Sequence, residues 1–235
     1  MFVELDIGGV CVDVRFKDIK NLHLSVYPPT GRVRISAPAH MSVDVVRLFA
    51  LSKIGWIRKH QGKIQRQDRE PPREYLERES HYIWGKRYLL RLKEGRGAPQ
   101  IHLAHRHIDL FLPQGAKAEV REEAVLDWSR ELLRDKARPI LDKWADRLRV
   151  DLDRFYIQRM KTKWGSSNPA RRSVRLNLDL VRFPIECLDY VALHEVAHFR
   201  VPNHSEKFKA LLDQNMPGWR RVRDRLNEGP LTAIV

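Results

Sequence analysis

A chain of 235 residues with 43% hydrophobic and 31% charged residues is long enough for one large domain or two modest ones, each with its own core. No stretch reaches the roughly 18 uninterrupted apolar residues of a spanning helix, so no membrane partner is expected. The net charge of +14, with a pI near 10.1, admits nucleic acid or nucleotides as partners through a basic surface.

The opening MFVELDIGGVCVDVRF alternates apolar and polar residues, the pattern of a first strand and not of a basic, apolar-cored signal peptide. Residues 2–37 read as four short strands, FVELDI, VCVDVRF, LHLSVYP and RVRISAP, with turns at Gly8-Gly9 and Pro28-Pro29-Thr30-Gly31. Ser42 is a helix N-cap with Asp44 in the first turn. Val45, Leu48, Phe49, Ile54 and Ile57 then predict one long helix over about 42–66, with Arg47, Lys53, Arg58, Lys59 and Lys63 on its basic face. Residues 67–79 form a charged connector interrupted by Pro71-Pro72. Strand patterning returns at 81–93 and 100–112, where His102, His105 and His107 straddle a turn and read as exposed turn histidines.

From Ala116 the period becomes helical, with Val120, Ala124, Trp128, Leu132 and Leu133 on one face and Pro139 predicted to break or restart the helix. The expected fold class is therefore α+β, a β-rich N-terminal region over 1–115 followed by a helix-rich domain over 116–235. Phe155–Trp164 and Ser173–Leu180 read as two strands joined by a turn at Ser166-Ser167-Asn168-Pro169. Residues 154–175 hold seven Lys/Arg and no Asp or Glu. No internal repeat is visible. Cys11 and Cys187 lie far apart without CxxC spacing, which fits a reducing cytoplasm better than a disulfide framework.

The chemistry concentrates in His194-Glu195-Val196-Ala197-His198. Pro184 suits a helix start and Pro202 stops the run, while Leu188, Val191, Ala192, Leu193, Val196, Ala197 and Phe199 make the helix apolar nearly all round and hence buried. Residues four apart point the same way, so His194 and His198 can share one ion. Glu195 lies about 100° further round, placed to act on a water on the metal without being a ligand. Random placement of 10 His and 14 Glu gives this pattern in roughly 2–3% of such chains, so the buried-helix setting carries the reading beyond the motif alone. Catalytic zinc takes three protein ligands and a water. His204, just past the helix end, is the expected third ligand, with Glu206 as its rival. Arg159, Lys161 and Lys163 alternate along the preceding strand and are candidates for binding substrate, together with Trp164. Trp164 and Trp219 are aromatic enough to stack a base and ordinary enough to be core. Tyr190, Arg159 and Lys163 are the candidates for stabilising an oxyanion.

The segment RMKTKWGSSNPARRSVRLNLDLVRFPIECLDYVALHEVAHFRVPNHSEKF closely resembles the YgjP-like metallopeptidase family, related to the SprT and WLM zincins, and GRVRISAPAHMSVDVVRLFALSKIGWIRKHQ resembles that family's first region. The resemblance implies a zincin-like C-terminal domain, one zinc ion per chain on His194, His198 and His204, and Glu195 as base. The family often carries Trp-Gly-Ser-Cys where this chain has Trp164-Gly165-Ser166-Ser167, which removes any thiol role at 167. The expected function is zinc-dependent peptide hydrolysis on a polypeptide substrate. Three alternatives stand beside it. The first is a metal-dependent hydrolase of nucleoside triphosphates, an activity the resemblance also brings in. The second is a nucleic-acid-associated protease, and the third a binding module with structural zinc.

Overall fold

The structure is a computed structural model that describes residues 2–27, 30–66, 69–70, 73–160, 163–228 and 231–232. The chain divides into two compact units, one of residues 1–71 with 229–235 and the other of residues 72–228.

In the first unit β1 (Phe2–Ile7), β2 (Val10–Lys17), β3 (His23–Tyr27) and β4 (Arg32–Pro38) form a sheet in the order β1-β2-β4-β3. The central β2–β4 pair is parallel and the outer pairs are antiparallel. Val12, Val14, Val33 and Ile35 alternate onto the face that packs with Val46, Ala50 and Ile57. The predicted single helix is two, α1 (Val43–Ser52) and α2 (Ile54–Arg66), with Lys53 as the cap between them. Ser52 Oγ donates to the Phe49 carbonyl (2.8 Å), a local bond that competes with the helical ladder, and Gly55 follows. Arg69–Glu70 (β5) pairs in parallel with Leu231–Thr232 (β13).

The second unit opens with β6 (Ser80–Ile83), β7 (Lys86–Glu94), β8 (Gln100–Leu103) and β9 (His107–Leu112), in the order β6-β7-β9-β8. Strand order and sense repeat those of the first sheet: a parallel central pair between antiparallel outer ones. No sequence repeat announces this. The hairpin tip Trp84-Gly85 has both residues at positive φ (50° and 77°). A side chain at Gly85 would meet Pro184 Cγ at 2.8 Å, so glycine is what lets this hairpin lie against the start of the motif helix. Ile83, Leu90, Ile108 and Leu110 are buried in one core with Leu133, Leu141 and Leu188. That shared core explains why the change of sequence pattern near residue 115 falls inside the second unit.

The helix α3 (Ala118–Leu148) runs unbroken through Pro139, contrary to the predicted interruption. Pro139 and Asp135, whose carbonyl loses its partner, are both exposed, so that carbonyl is open to solvent. On the other face Leu133, Ala137, Leu141 and Trp144 are buried and keep the helix continuous through the gap. The Asp189 carboxylate accepts from Trp144 Nε1 (2.8 Å) and Lys143 Nζ (2.6 Å), clamping α3 to α4 (Ile185–Ala197).

The basic segment departs from the predicted hairpin. β10 (Arg154–Gln158) is short, and Ser166–Asn168, part of the predicted turn over 166–169, belongs to a strand, β11 (Gly165–Asn168). Both pair with β12 (Ser173–Asn177), β10 in parallel and β11 antiparallel, in the order β10-β12-β11. Between β10 and β11 the buried Asn177 amide donates to the Met160 and Lys163 carbonyls, both at 2.9 Å, so neither of these residues pairs in the sheet. A 3-10 turn over Leu178–Arg182 replaces the end of the predicted second strand. The unit closes with α5 (Glu206–Asn215) and α6 (Trp219–Glu228). The α+β expectation holds, with N-terminal strands followed by a helical region.

Candidate metal centre

The helix α4 forms where the apolar run required it. Cys187, Leu188, Val191, Ala192, Leu193, Val196 and Ala197 are all buried, so the helix is held on nearly every side. That rigidity aims one polar edge. His194 Nε2 lies 3.3 Å from His198 Nε2 and 3.0 Å from His204 Nε2, and the ligand atoms of the three residues all fall within 4.8 Å of one another. Among the described residues they are the one such group found.

His198 is oriented by its other nitrogen, with Nδ1 3.1 Å from the Val201 carbonyl, a bond made possible by the chain turning at the helix end. Phe208 stacks on the His198 ring (4.6 Å, 27°) and meets His194 and His204 edge-on. Burial, then the neighbouring imidazoles, push His194 down to about 3, and burial also lowers His198. Both shifts favour the neutral imidazole, the form that ligates metal. The spacing fits one ion. Histidine nitrogens 2.0–2.1 Å from a tetrahedral zinc stand about 3.3 Å apart. Without a cation these lone pairs would face one another, and the buried His194 Nδ1 has no hydrogen-bond partner to offset that.

Glu195 is 6% exposed on the same helix. Burial pushes its carboxyl up to about 7, opposed by a hydrogen bond from the Ser167 hydroxyl and by the Lys163 ammonium. β11 crosses directly over it. A Cβ on Gly165 would meet Glu195 Oε1 at 2.6 Å, Cγ at 2.7 Å and Cδ at 2.9 Å. Gly165 does not have positive φ, so glycine is needed there for space and not for backbone conformation.

These groups line a cavity of about 600 Å³. One wall is Lys163, Trp164 and β11; the other is Tyr190 with Arg223, Leu226 and Asn227 of α6. Tyr190 stacks on the buried Trp219 (6.0 Å, 6°), and burial pushes its hydroxyl up to about 12, so it stays a proton donor. The Trp219 Nε1 in turn donates to Asp213 (2.8 Å), which fixes Trp219 in the core behind Tyr190 and not as a stacking platform.

The candidates named from sequence separate here. His194, Glu195, His198, His204, Lys163 and Trp164 come together in one cavity. Arg159 lies outside it and pairs with Glu122 (3.5 Å), and Lys161 falls outside the described residues. Glu206, the rival ligand, is 88% exposed and bonded to Lys209 (2.6 Å), away from the imidazoles. Gly165, Asn177 and Arg223 escaped the sequence reading. Gly165 had a signal, a glycine in a strand-like run beside the motif, whereas Arg223 is one arginine among many on its helix.

Three converging imidazoles with a buried carboxylate beside them are a donor set that could hold a metal ion. The family described as YgjP-like, metallopeptidase domain matches residues 20–229, and the chain belongs to it. No curated protein matches the chain. Among solved structures it is similar to the metallopeptidase zymogen abylysin of Pyrococcus abyssi, with 20% identity and a TM-score of 0.36 over 38% of this chain and 90% of that one. It is likewise similar to the zymogen jannalysin of Methanocaldococcus jannaschii, with 26% identity and a TM-score of 0.36 over 39% and 87%.

Proposed function

We propose that the protein hydrolyses peptide bonds at a single zinc ion held by His194, His198 and His204, with Glu195 as the proton-transfer group. The observation that carries this reading is the meeting of three imidazoles and a buried carboxylate in one cavity. When bound, the ion supplies Lewis acidity, polarising the scissile carbonyl and rendering a water acidic near neutral pH. The rest falls to the chain's own side chains. Glu195 takes the proton of the attacking water and returns it to the leaving amine, a role suited to a carboxyl whose proton affinity burial has raised toward neutrality. Ser167 and Lys163 hold that carboxylate on the cavity side of α4. The Tyr190 hydroxyl, protonated at any working pH, is the donor on the opposite wall.

A second reading rests on Lys163 and Arg223, two cations lining the cavity that would suit the phosphates of a nucleoside triphosphate. One experiment separates the two. Zinc-loaded protein and its Glu195→Gln variant are given an unfolded polypeptide and, separately, nucleoside triphosphates, with bound zinc measured in each. Polypeptide cleavage that disappears in the variant while zinc is retained supports the peptidase. Triphosphate cleavage alone, lost in Lys163→Ala, would replace it with the second reading.

A further inference from the structure

The proposed hydrolysis leaves the basic run 154–175 largely unused. The three-stranded sheet β10-β12-β11 turns Phe155, Ile157, Val174 and Leu176 toward the core. By strand alternation Arg154 and Tyr156 on β10 and Arg175 on β12 face outward, and all three are exposed. Arg175 stands in register with Tyr156 on one side and Ser166 on the other. Arg171 and Arg172 complete the surface from the turn after β11, where the Asn168 side chain caps the Arg171 N–H (3.1 Å) and Arg172 takes a left-handed conformation. These residues line a concave surface of about 840 Å³ that belongs wholly to the second unit.

Its lining is mostly basic, with four arginines against one carboxylate, Asp153. Arg172 lies 3.7 and 3.8 Å from Asp151 and Asp153. Among the described residues no carboxylate lies within ion-pair distance of Arg154, Arg171 or Arg175. Tyr156, in the middle, is 46% exposed, and nothing in the core requires an aromatic ring there. Strand geometry sets Arg154 about 6.6 Å from Tyr156 along β10, and Arg175 about 4.8 Å away across the sheet.

We propose that this face binds single-stranded nucleic acid, the Tyr156 ring stacking an unpaired base while Arg154, Arg171, Arg172 and Arg175 hold the flanking phosphates. Guanidinium forks match phosphate oxygens two at a time. An exposed aromatic ring among them discriminates a strand with free bases from a duplex, whose bases are stacked on one another, and from an acidic peptide, which offers charge without a base. The site is separate from the metal and does not depend on it.

The test is fluorescence anisotropy of labelled oligo-dT and oligo-U of about 12 nucleotides, within the usual span of one such surface, with the zinc-loaded full chain. A duplex and a polyglutamate of equal charge serve as competitors. The expected result is binding to both single strands, with log K against log salt falling by roughly 0.7 per phosphate and so no steeper than about −3 for four arginines. Tyr156→Ala weakens binding at least about fivefold, the lower end for loss of one stacked base, whereas Tyr156→Phe does not. The Arg171→Glu/Arg175→Glu pair abolishes binding, and Arg154→Gln/Arg171→Gln weakens it. All positions are exposed, and thermal melts matching the parent exclude unfolding as the cause. Glu195→Gln leaves binding unchanged, so failure of the peptidase reading and failure of this one are distinguishable. Absence of binding at low salt overturns the proposal, as do tighter duplex binding, equal competition by polyglutamate, or parental affinity in the variants.

Discussion

Replacing Gly165 with alanine tests whether the space under β11 is reserved for the Glu195 carboxylate. The new methyl carbon would sit 2.7 Å from Glu195 Cγ and 2.9 Å from Cδ. Both are roughly 0.6–0.8 Å short of a comfortable carbon–carbon approach of about 3.5 Å. Glu195 is the group that gives way. Its helix backbone is locked by buried neighbours on nearly every side, and the strand above is tied to β12 along its length. A misplacement approaching 1 Å at a reacting group costs on the order of 100-fold in rate. The expected outcome is a kcat about 100-fold lower, unchanged bound zinc, and a stability loss within the roughly 1–3 kcal/mol of an overpacked site. Steady-state cleavage of a quenched fluorescent peptide, zinc content by elemental analysis and a urea melt read the three quantities. Parental kcat in Gly165→Ala would refute the argument. Loss of zinc together with activity would show instead that the clash is relieved through α4, so that the carboxylate does not move alone.

Removing His204 as alanine lowers zinc affinity by more than the roughly 10–100-fold typical of an outer-shell partner, while Glu206→Ala leaves it unchanged, as competition with a chromogenic chelator reads directly. His81 is 3% exposed, and its Nδ1 accepts from the Arg73 guanidinium at 2.6 Å; burial first, then Arg73 and Arg182, push it down to about 3. Between pH 6.5 and about 3 the unfolded state therefore binds the proton that the folded state refuses. Stability falls with falling pH through that window by up to about 1.4 kcal/mol per pH unit. Urea melts over a pH series should show this slope reduced in His81→Gln relative to the parent. Trp144→Phe removes one donor from Asp189 and lowers stability by about 1 kcal/mol, with the urea midpoint shifted and the slope preserved.

Much of the site was legible because its logic is local. A helix repeats every 3.6 residues, so His194, Glu195 and His198 have their relative directions as soon as the helix exists, and the flanking Pro184 and Pro202 bounded it. His204 was within reach for a related reason, since a short turn after a helix end leaves little freedom in where the next side chain lies. The strand pattern of the N-terminal half was equally legible, because alternation marks any sheet with one buried face. Less legible was which segments share a core. Ile83, Leu90 and Ile108 alternate just as Val12 and Val33 do, yet one set packs with the motif helix and the other with α1 and α2.

The sequence by itself determined the chemistry of the centre: two histidines and a glutamate on one buried helix, a third histidine beyond it, and a strongly basic stretch before it. Only tertiary structure decided how the surroundings use them. Pro139 reads as a break, but burial of Leu133, Ala137, Leu141 and Trp144 outweighs one missing hydrogen bond on the solvent side. Ser166-Ser167-Asn168-Pro169 reads as a turn, but pairing with β12 makes most of it an edge strand, and the Asn177 amide binds the Met160 and Lys163 carbonyls instead. The same rearrangement separates Arg159 from Lys163 and puts Gly165 over the carboxylate. Propensity and spacing act over a turn or two of chain. Pairing partners, shared cores and close backbone approaches are set between segments far apart in sequence, where no local pattern records them.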